Sequence, residues 1–380
     1  MKVIDLDSIC LTKIDVNTRN GRINKNSIVC HKLVDQNLIA CPHDPWHEEM
    51  IDSLSAGVCH AYDLFIEKYP NTHAAILVNL SYFIKSHNNS DSLVTSVSYI
   101  QIDVQYIQGN NRFTENYYVD ISEDFSNCIF NTLSDMKNSS QIKKAAFIEQ
   151  YLNGRVIFRN KAAAILIHEF AHLFEADIYL YSRNYLNEIN PYIDLNDLFQ
   201  HPALPTICLN IDDEFSLNND VTVIEQGTVK NIMVDKKWSK IFHTDLYGNG
   251  RRIFQENAPV LPRMRISYMK YRTKLPLDKM LSEASSYLML DNIKSGKLIV
   301  KDGTVIFQIE NAQYHHFGEV IQLEPFSIQC PIAEIINNIV SVTDSNYLTI
   351  HPCGKSGFQI PCGVITPSSI LSFWEDAHVL

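Results

Sequence analysis

Residues 162–172 read Ala-Ala-Ala-Ile-Leu-Ile-His-Glu-Phe-Ala-His and constrain the fold more than any other stretch of the chain. Three consecutive alanines are strong helix formers, and the apolar residues after them suit the same helix. Asn160 stands where an N-cap belongs. Each helical residue turns about 100°, so a four-residue step sets His172 roughly 40° from His168, one turn along. Both imidazoles then reach one point, with Glu169 beside them. This is the His-Glu-x-x-His spacing of zinc hydrolases, where two histidines hold the metal and the glutamate is the general base. In a 380-residue chain with 14 histidines, chance yields the motif roughly once in forty cases. The competing reading is two satisfied core histidines on a buried helix. Motif and helix context together favour the metal.

Composition closes other routes. The formal net charge of −11 argues against general affinity for nucleic acid or anionic membranes, which need clustered Lys and Arg. No apolar run approaches the roughly 20 residues that span a bilayer. Asp5 and Asp7 occupy the place of a signal peptide's apolar core, so a cytoplasmic protein is expected. The nine cysteines contain no Cys-x-x-Cys pair, and their odd number fits reduced thiols.

Along the chain, residues 1–45 read as polar and irregular. Apolar residues at steps of three and four predict a helix over 47–68, ended by Pro70-Asn71. Strands are predicted over 73–85 and 93–108, a helix over 141–152, and a short strand over 155–159. Beyond residue 177, short apolar segments separated by Gly, Asn and Asp predict strands at 205–211, 221–226, 229–234, 297–301, 303–309, 319–323 and 358–365. Asp302-Gly303 marks a hairpin turn. The expected fold is α+β. A mixed α/β N-terminal domain (1–154) precedes a mainly antiparallel β C-terminal domain (155–380), with the motif helix near the junction.

A catalytic zinc takes three protein ligands and keeps one position open. Position 175, where one common extension of the motif has glycine, holds Glu175, and position 178, where it has histidine, holds Ile178. About 20 residues beyond His172, where another class has glutamate, stands Tyr192. Glu188 has no motif around it, and Glu175 suits a supporting position better than a ligand position. The C-terminal segment from His351 to Val364 carries Cys353 in a glycine-rich turn, and a thiolate is a strong zinc ligand. A second site at Cys41, His43 and His47 is disfavoured by Pro42 and Pro45.

Four blocks in order give the chain a likeness. They are Val156-Ile-Phe leading to Ile167-His-Glu-Phe-Ala-His-Leu-Phe-Glu-Ala-Asp177, then Ile211-Asp-Asp-Glu214 followed by Glu225-Gln-Gly227. The third runs from Gly250-Arg-Arg252 through Ala258-Pro-Val-Leu-Pro-Arg-Met264 to Ser267-Tyr-Met269. The last is Cys353-Gly-Lys-Ser-Gly-Phe-Gln-Ile-Pro-Cys-Gly-Val364. Together they resemble the TldD/PmbA metallopeptidases, in particular the catalytic TldD branch, over residues 155–370. The chain is shorter at its N-terminus than the family, as if that domain were trimmed. The resemblance implies a metal site of His168, His172 and Cys353 holding Zn2+ or another divalent transition metal, with Glu169 as base. It also brings Asp213, Glu214, Arg252 and Arg263 forward as substrate-binding candidates.

Two departures stand out. The family spaces its histidines one residue further apart, which requires a distorted helix, and Phe215 replaces the family's glycine after Asp-Asp-Glu. The implied activity is hydrolysis of short or unfolded peptides bound in extended form, including leader segments of peptide natural products. The implied assembly is a heterodimer with a TldE-like subunit or a homodimer. The alternatives are a non-catalytic partner subunit and a metal hydrolase acting on other amides.

Overall fold

The computed structural model describes residues 8–34, 37–40, 46–89, 92–109, 111–119, 124–139, 154–184, 186, 189–204, 206–253, 258–282, 286–375 and 377–380. Strands β1 (Ser8–Arg19) and β2 (Arg22–Val34) meet at Asn20-Gly21. Both turn residues have positive φ, 49° and 70°, the conformation that a two-residue hairpin demands. Then come β3 (Asn37–Ala40), helix α1 (Trp46–Lys68), β4 (Ala75–Asn89), β5 (Ser92–Gln108), β6 (Asn111–Val119) and helix α2 (Phe125–Ser139). The six strands make one antiparallel sheet in the order β3-β2-β1-β4-β5-β6.

The irregular reading of residues 1–45 is therefore corrected. The Asn20-Gly21 pair between alternating apolar residues is the local signal for this hairpin. Alternation also gives the sheet two unlike faces. Ile100, Ile102, Val104 and Tyr106 of β5 bury against Leu54, Phe65, Ile129 and Leu133 of the two helices. The intervening Asp103 and Gln105 turn to the opposite, polar face. The predicted helix over 141–152 and the Cys41/His43 pair lie outside the described residues.

Strand β7 (Gly154–Arg159) feeds helix α3 (Lys161–His172), followed by α4 (Ala176–Ser182), β8 (Ile193–Leu198), β9 (Val221–Glu225), β10 (Thr228–Val229) and α5 (Lys236–Phe242). Next are β11 (Gly250–Arg251), β12 (Leu261–Pro262), β13 (Ile266–Tyr271), α6 (Leu277–Ser282), β14 (Ser286–Ile299), β15 (Thr304–His316) and β16 (Glu319–Gln322). The chain ends with β17 (Phe326–Pro331), α7 (Ile332–Asn337), β18 (Ser341–Val342), β19 (Asn346–Lys355), β20 (Phe358–Pro367), β21 (Ser369–Trp374) and β22 (His378–Val379).

One sheet has the order β10-β9-β8-β13-β20-β19; another has β18-β21-β7-β14-β15-β17-β22, with β16 on β15. Pairing is antiparallel except for β13 with β20 and β7 with β14. Asp302-Gly303 turns the β14–β15 hairpin. The fold is α+β.

Helix α3 packs on β7 and β14 of one sheet and on β13, β19 and β20 of the other. Every residue from Ala162 to His172 is buried, as expected for a helix enclosed on all sides. Asn160 precedes it, but its side chain makes no capping hydrogen bond.

Two predicted strands are also corrected. Residues 206–211 form a turn-rich segment with a single bridge from Ile211 to Leu217, and of the 229–234 segment only Val229 is in a strand. Their apolar residues are buried, yet their backbones bond locally or to helix ends. Met233 N–H, for example, donates to Phe174 O at 2.9 Å, and Ala176 N–H donates to Met233 O at 2.9 Å.

Candidate metal centre and its cavity

Helix α3 is regular through the motif, so the four-residue step places both imidazoles on one face, with ring centroids 4.8 Å apart. Helix α3 and strand β19 bring Cys353 to the same point, with its Sγ 3.4 Å from His172 Nε2. Among the described residues, one ligand atom each from His168, His172 and Cys353 lie within 4.8 Å of one another. All three residues are buried. Two imidazoles and a thiol are the nitrogen and sulfur donors that zinc and similar divalent ions favour. His168 Nδ1 is buried with no hydrogen-bond partner. The donor set therefore fits a divalent metal.

The ligands are held from behind. Glu175, wholly buried, accepts from His172 Nδ1 at 2.7 Å, from Lys355 Nζ at 2.8 Å and from Met264 N–H at 2.9 Å. Burial opposes its charge, but the His172 and Lys355 charges and their hydrogen bonds prevail and hold its carboxyl far below the usual range. An ionised carboxylate only accepts, so His172 carries its proton on Nδ1 and leaves Nε2 facing Cys353. Burial opposes protonation of His172, but Glu175 outweighs it and raises its pKa. Burial, reinforced by the His351, His172 and Arg263 charges, pushes His168 well below its ordinary value.

Lys355 also donates to Asp177 Oδ1 at 2.7 Å and to Pro262 O at 2.8 Å. Arg263 clamps the same strand through Cys353 O at 3.0 Å and Lys355 O at 2.9 Å. Beside Cys353 lies Cys362, whose hydrogen bond, together with burial, raises the Cys353 thiol.

Glu169 projects from α3 toward β14. A Cβ on Gly296 would lie 2.4 Å from Glu169 Cγ, so glycine there makes room for the carboxylate. Burial raises the Glu169 pKa, against the His172 charge and a backbone hydrogen bond from Leu298. A cavity of about 800 Å³ opens over this group. Its walls include His168, Glu169, His172 and His351, the β14 residues Lys294–Leu298, and Asp103, Gln105, Thr114 and Asn116 from the polar face of the N-terminal sheet.

Of the substrate-binding candidates, Arg263 holds the Cys353 strand, and Asp213, Glu214 and Arg252 bond to other groups. Asp213 pairs with Lys85 and accepts from Arg252 N–H at 2.9 Å. Glu214 accepts from Lys236 N–H at 2.6 Å. Neither these two, nor Arg252, nor Arg263 lines the cavity. Of the paired arginines, it is Arg251 that reaches inward, donating to Met264 O at 2.7 Å and Pro361 O at 2.9 Å. Phe215 takes φ 61°, so the loop keeps a conformation suited to glycine despite its side chain. The sequence alone does not single out Lys355, Gly296 or His351 as site residues. Lys355 and His351 each stand two residues from Cys353, and on a strand residues two apart share a face.

Residues 152–372 match the family model described as the PmbA/TldA metallopeptidase C-terminal domain. The chain belongs to the TldD/PmbA family. It is 28% identical over 163 residues to the metalloprotease TldD homolog of Buchnera aphidicola, covering 42% of this chain and 33% of that protein. Over 218 residues it is 26% identical to the zinc metalloprotease TldD homolog of Saccharolobus solfataricus, covering 53% of this chain and 46% of that one. The aligned stretches thus span less than half the length of either relative. In fold it is similar to TldE from Thermococcus kodakarensis, with a TM-score of 0.65 at 15% identity over 97% of this chain and 95% of that one. No described helix is long and apolar enough to cross a membrane.

Proposed function

We propose that this member of the TldD/PmbA family is a metal-dependent peptidase. The observation that carries the reading is the convergence of His168, His172 and Cys353 on one point, beside a cavity that His168, His172 and Glu169 line. A zinc or similar ion held by those three residues would polarise a scissile carbonyl and acidify a water. Glu169, whose burial raises its pKa, accepts the proton of the attacking water and passes it to the leaving amine. Glu175 and Lys355 fix the His172 ring, and Arg263 fixes the Cys353 strand.

The substrate is an extended peptide. Pairing of β14 with β7 stops at Leu290, and the β14 residues 294–298 line the cavity wall beyond it. An exposed strand edge selects unfolded chain by backbone hydrogen bonding. Short or leader-type precursor peptides fit this, acted on in the cytoplasm by a homodimer or a complex with a TldE-like subunit. The same reading keeps residues 1–154 and 155–380 as two domains that together wall the cavity.

The test uses the whole chain, with metal content and peptide hydrolysis measured side by side. Glu169→Gln should keep the metal and lose turnover, whereas Cys353→Ala should lose the metal. A metal-replete wild-type protein that cleaves no unfolded peptide, alone or with a partner, would point instead to a non-catalytic subunit.

A further inference from the structure

His351 has no place in the ligand set, yet it stands against that set. It lies on β19 two residues before Cys353, so both side chains leave the strand on the face toward α3. Its ring centroid is 4.3 Å from that of His168, at an interplanar angle of 64°. The residue is 8% exposed and lines the cavity, and it also lines an adjoining cavity of about 580 Å³. Its Nε2 is buried and has no hydrogen-bond partner.

A desolvated imidazole nitrogen with nothing to bond opposes folding, and native proteins satisfy nearly all such atoms. Where the residue that carries one lines a cavity, a ligand atom that reaches it completes the bond. Metal is a poor candidate for that atom. The three residues whose ligand atoms cluster within 4.8 Å do not include His351, and a fourth protein ligand would close the position that a hydrolytic centre leaves open. The walls are also divided. Glu169 packs toward Gly296 on β14, while His351 comes from β19 and packs against the His168 ring. A peptide lying in the cavity would thus meet the base from the β14 wall and the His351 imidazole from β19.

We propose that His351 is a further catalytic residue, donating a hydrogen bond from Nε2 to the oxygen of the scissile carbonyl as negative charge develops there. This rests on the peptidase reading above. Such a donor, fixed in place and shielded from water, stabilises the transition state more than the bound peptide. It therefore acts on kcat rather than KM.

The test compares wild type with His351→Phe, which keeps the ring and loses the donor, and with His351→Gln, which returns an N–H near Nε2. Zn2+ stoichiometry and the visible spectrum of the Co2+-loaded protein should be unchanged in both. For an unfolded peptide substrate, kcat should fall about 100-fold in the Phe variant, with KM within about threefold, and Gln should recover roughly a tenth or more of the rate. A phosphinic peptide, which mimics the tetrahedral adduct, should bind the Phe variant more weakly by the same factor as kcat/KM. An unchanged kcat in the Phe variant overturns the proposal, as does loss of metal or a changed Co2+ spectrum. A wild type that takes up metal but cleaves no peptide overturns the peptidase reading, and this role falls with it. A wild type that cleaves peptide as well as the Phe variant does leaves that reading standing and removes only His351.

Discussion

Substituting Glu175 by glutamine probes how the centre is held without touching a proposed ligand. One carboxylate oxygen, Oε2, accepts from both His172 Nδ1 at 2.7 Å and Lys355 Nζ at 2.8 Å, while Oε1 accepts from Met264 N–H. An amide cannot reproduce this. With its oxygen toward Met264, its NH2 faces two donors; flipped, it faces the Met264 N–H instead. Hydrogen bonds to a charged group contribute about 1.5–3 kcal/mol each. Lys355 retains Asp177 Oδ1 and Pro262 O, so its share counts at the low end. The sum is a destabilisation of about 3–4 kcal/mol, a large part of a typical domain's 5–15 kcal/mol. His172 also loses the anion that orients it, and such supports are worth about 10–100-fold in metal affinity. Denaturant unfolding of the metal-free protein measures the first effect, and competition with a chromophoric chelator measures the second. A loss under about 1 kcal/mol with metal affinity unchanged would refute the argument that Glu175 organises this site.

Two further substitutions test other supports. In Gly296→Ala the new Cβ meets Glu169 Cγ at 2.4 Å and Cδ at 2.7 Å, so Glu169 must leave its place while the ligands stay. Metal affinity should hold within about threefold and turnover should fall at least about 100-fold; full activity in the alanine variant would remove Glu169 from the mechanism. Arg265 is wholly buried and bonds Asp197 through Nε at 2.7 Å. Arg265→Met should therefore cost about 3–5 kcal/mol in a thermal or urea melt, largely through the stranded Asp197 charge. Pairing it with Asp197→Leu should recover part of that loss, and a double variant no more stable than the single would contradict the assignment.

What was legible in the sequence follows the range of the interaction. Helix α3 is written in local terms, as alanines, then a four-residue histidine step. The strands at 75–89, 92–108 and 304–316 are carried by alternation and by the Asp302-Gly303 turn. The β1–β2 hairpin is equally local, at Asn20-Gly21, but the many polar residues of its strands mask the alternation. Helix α2 repeats Phe125, Ile129, Leu133 and Met136 at helical spacing, masked in the same way by its polar residues. The strands predicted at 205–211 and 229–234 differ from the structure for another reason. Buried apolar residues there reflect packing rather than pairing, a distinction that apolar content alone does not carry. At the site, the resemblance named Cys353, but nothing local says that Gly296 faces Glu169 across 127 positions, or that Arg251 rather than Arg252 turns inward. Those facts belong to sheet order.

The shortened histidine spacing, which separates this chain from its family's pattern, is consistent with how α3 is enclosed. A five-residue step would turn the second imidazole about 140° from the first unless the helix were locally distorted. Here both sheets press on α3 and every residue from Ala162 to His172 is buried, so a bulge would have to displace packed side chains on one wall or the other. With four residues the helix stays regular to His172, and the irregular backbone begins only at Leu173 and Phe174, whose N–H groups bond three residues back. That tightened turn carries Glu175 under His172, where Lys355 from the Cys353 strand meets it. The spacing, the helix end and the Cys353 turn are therefore linked through one carboxylate.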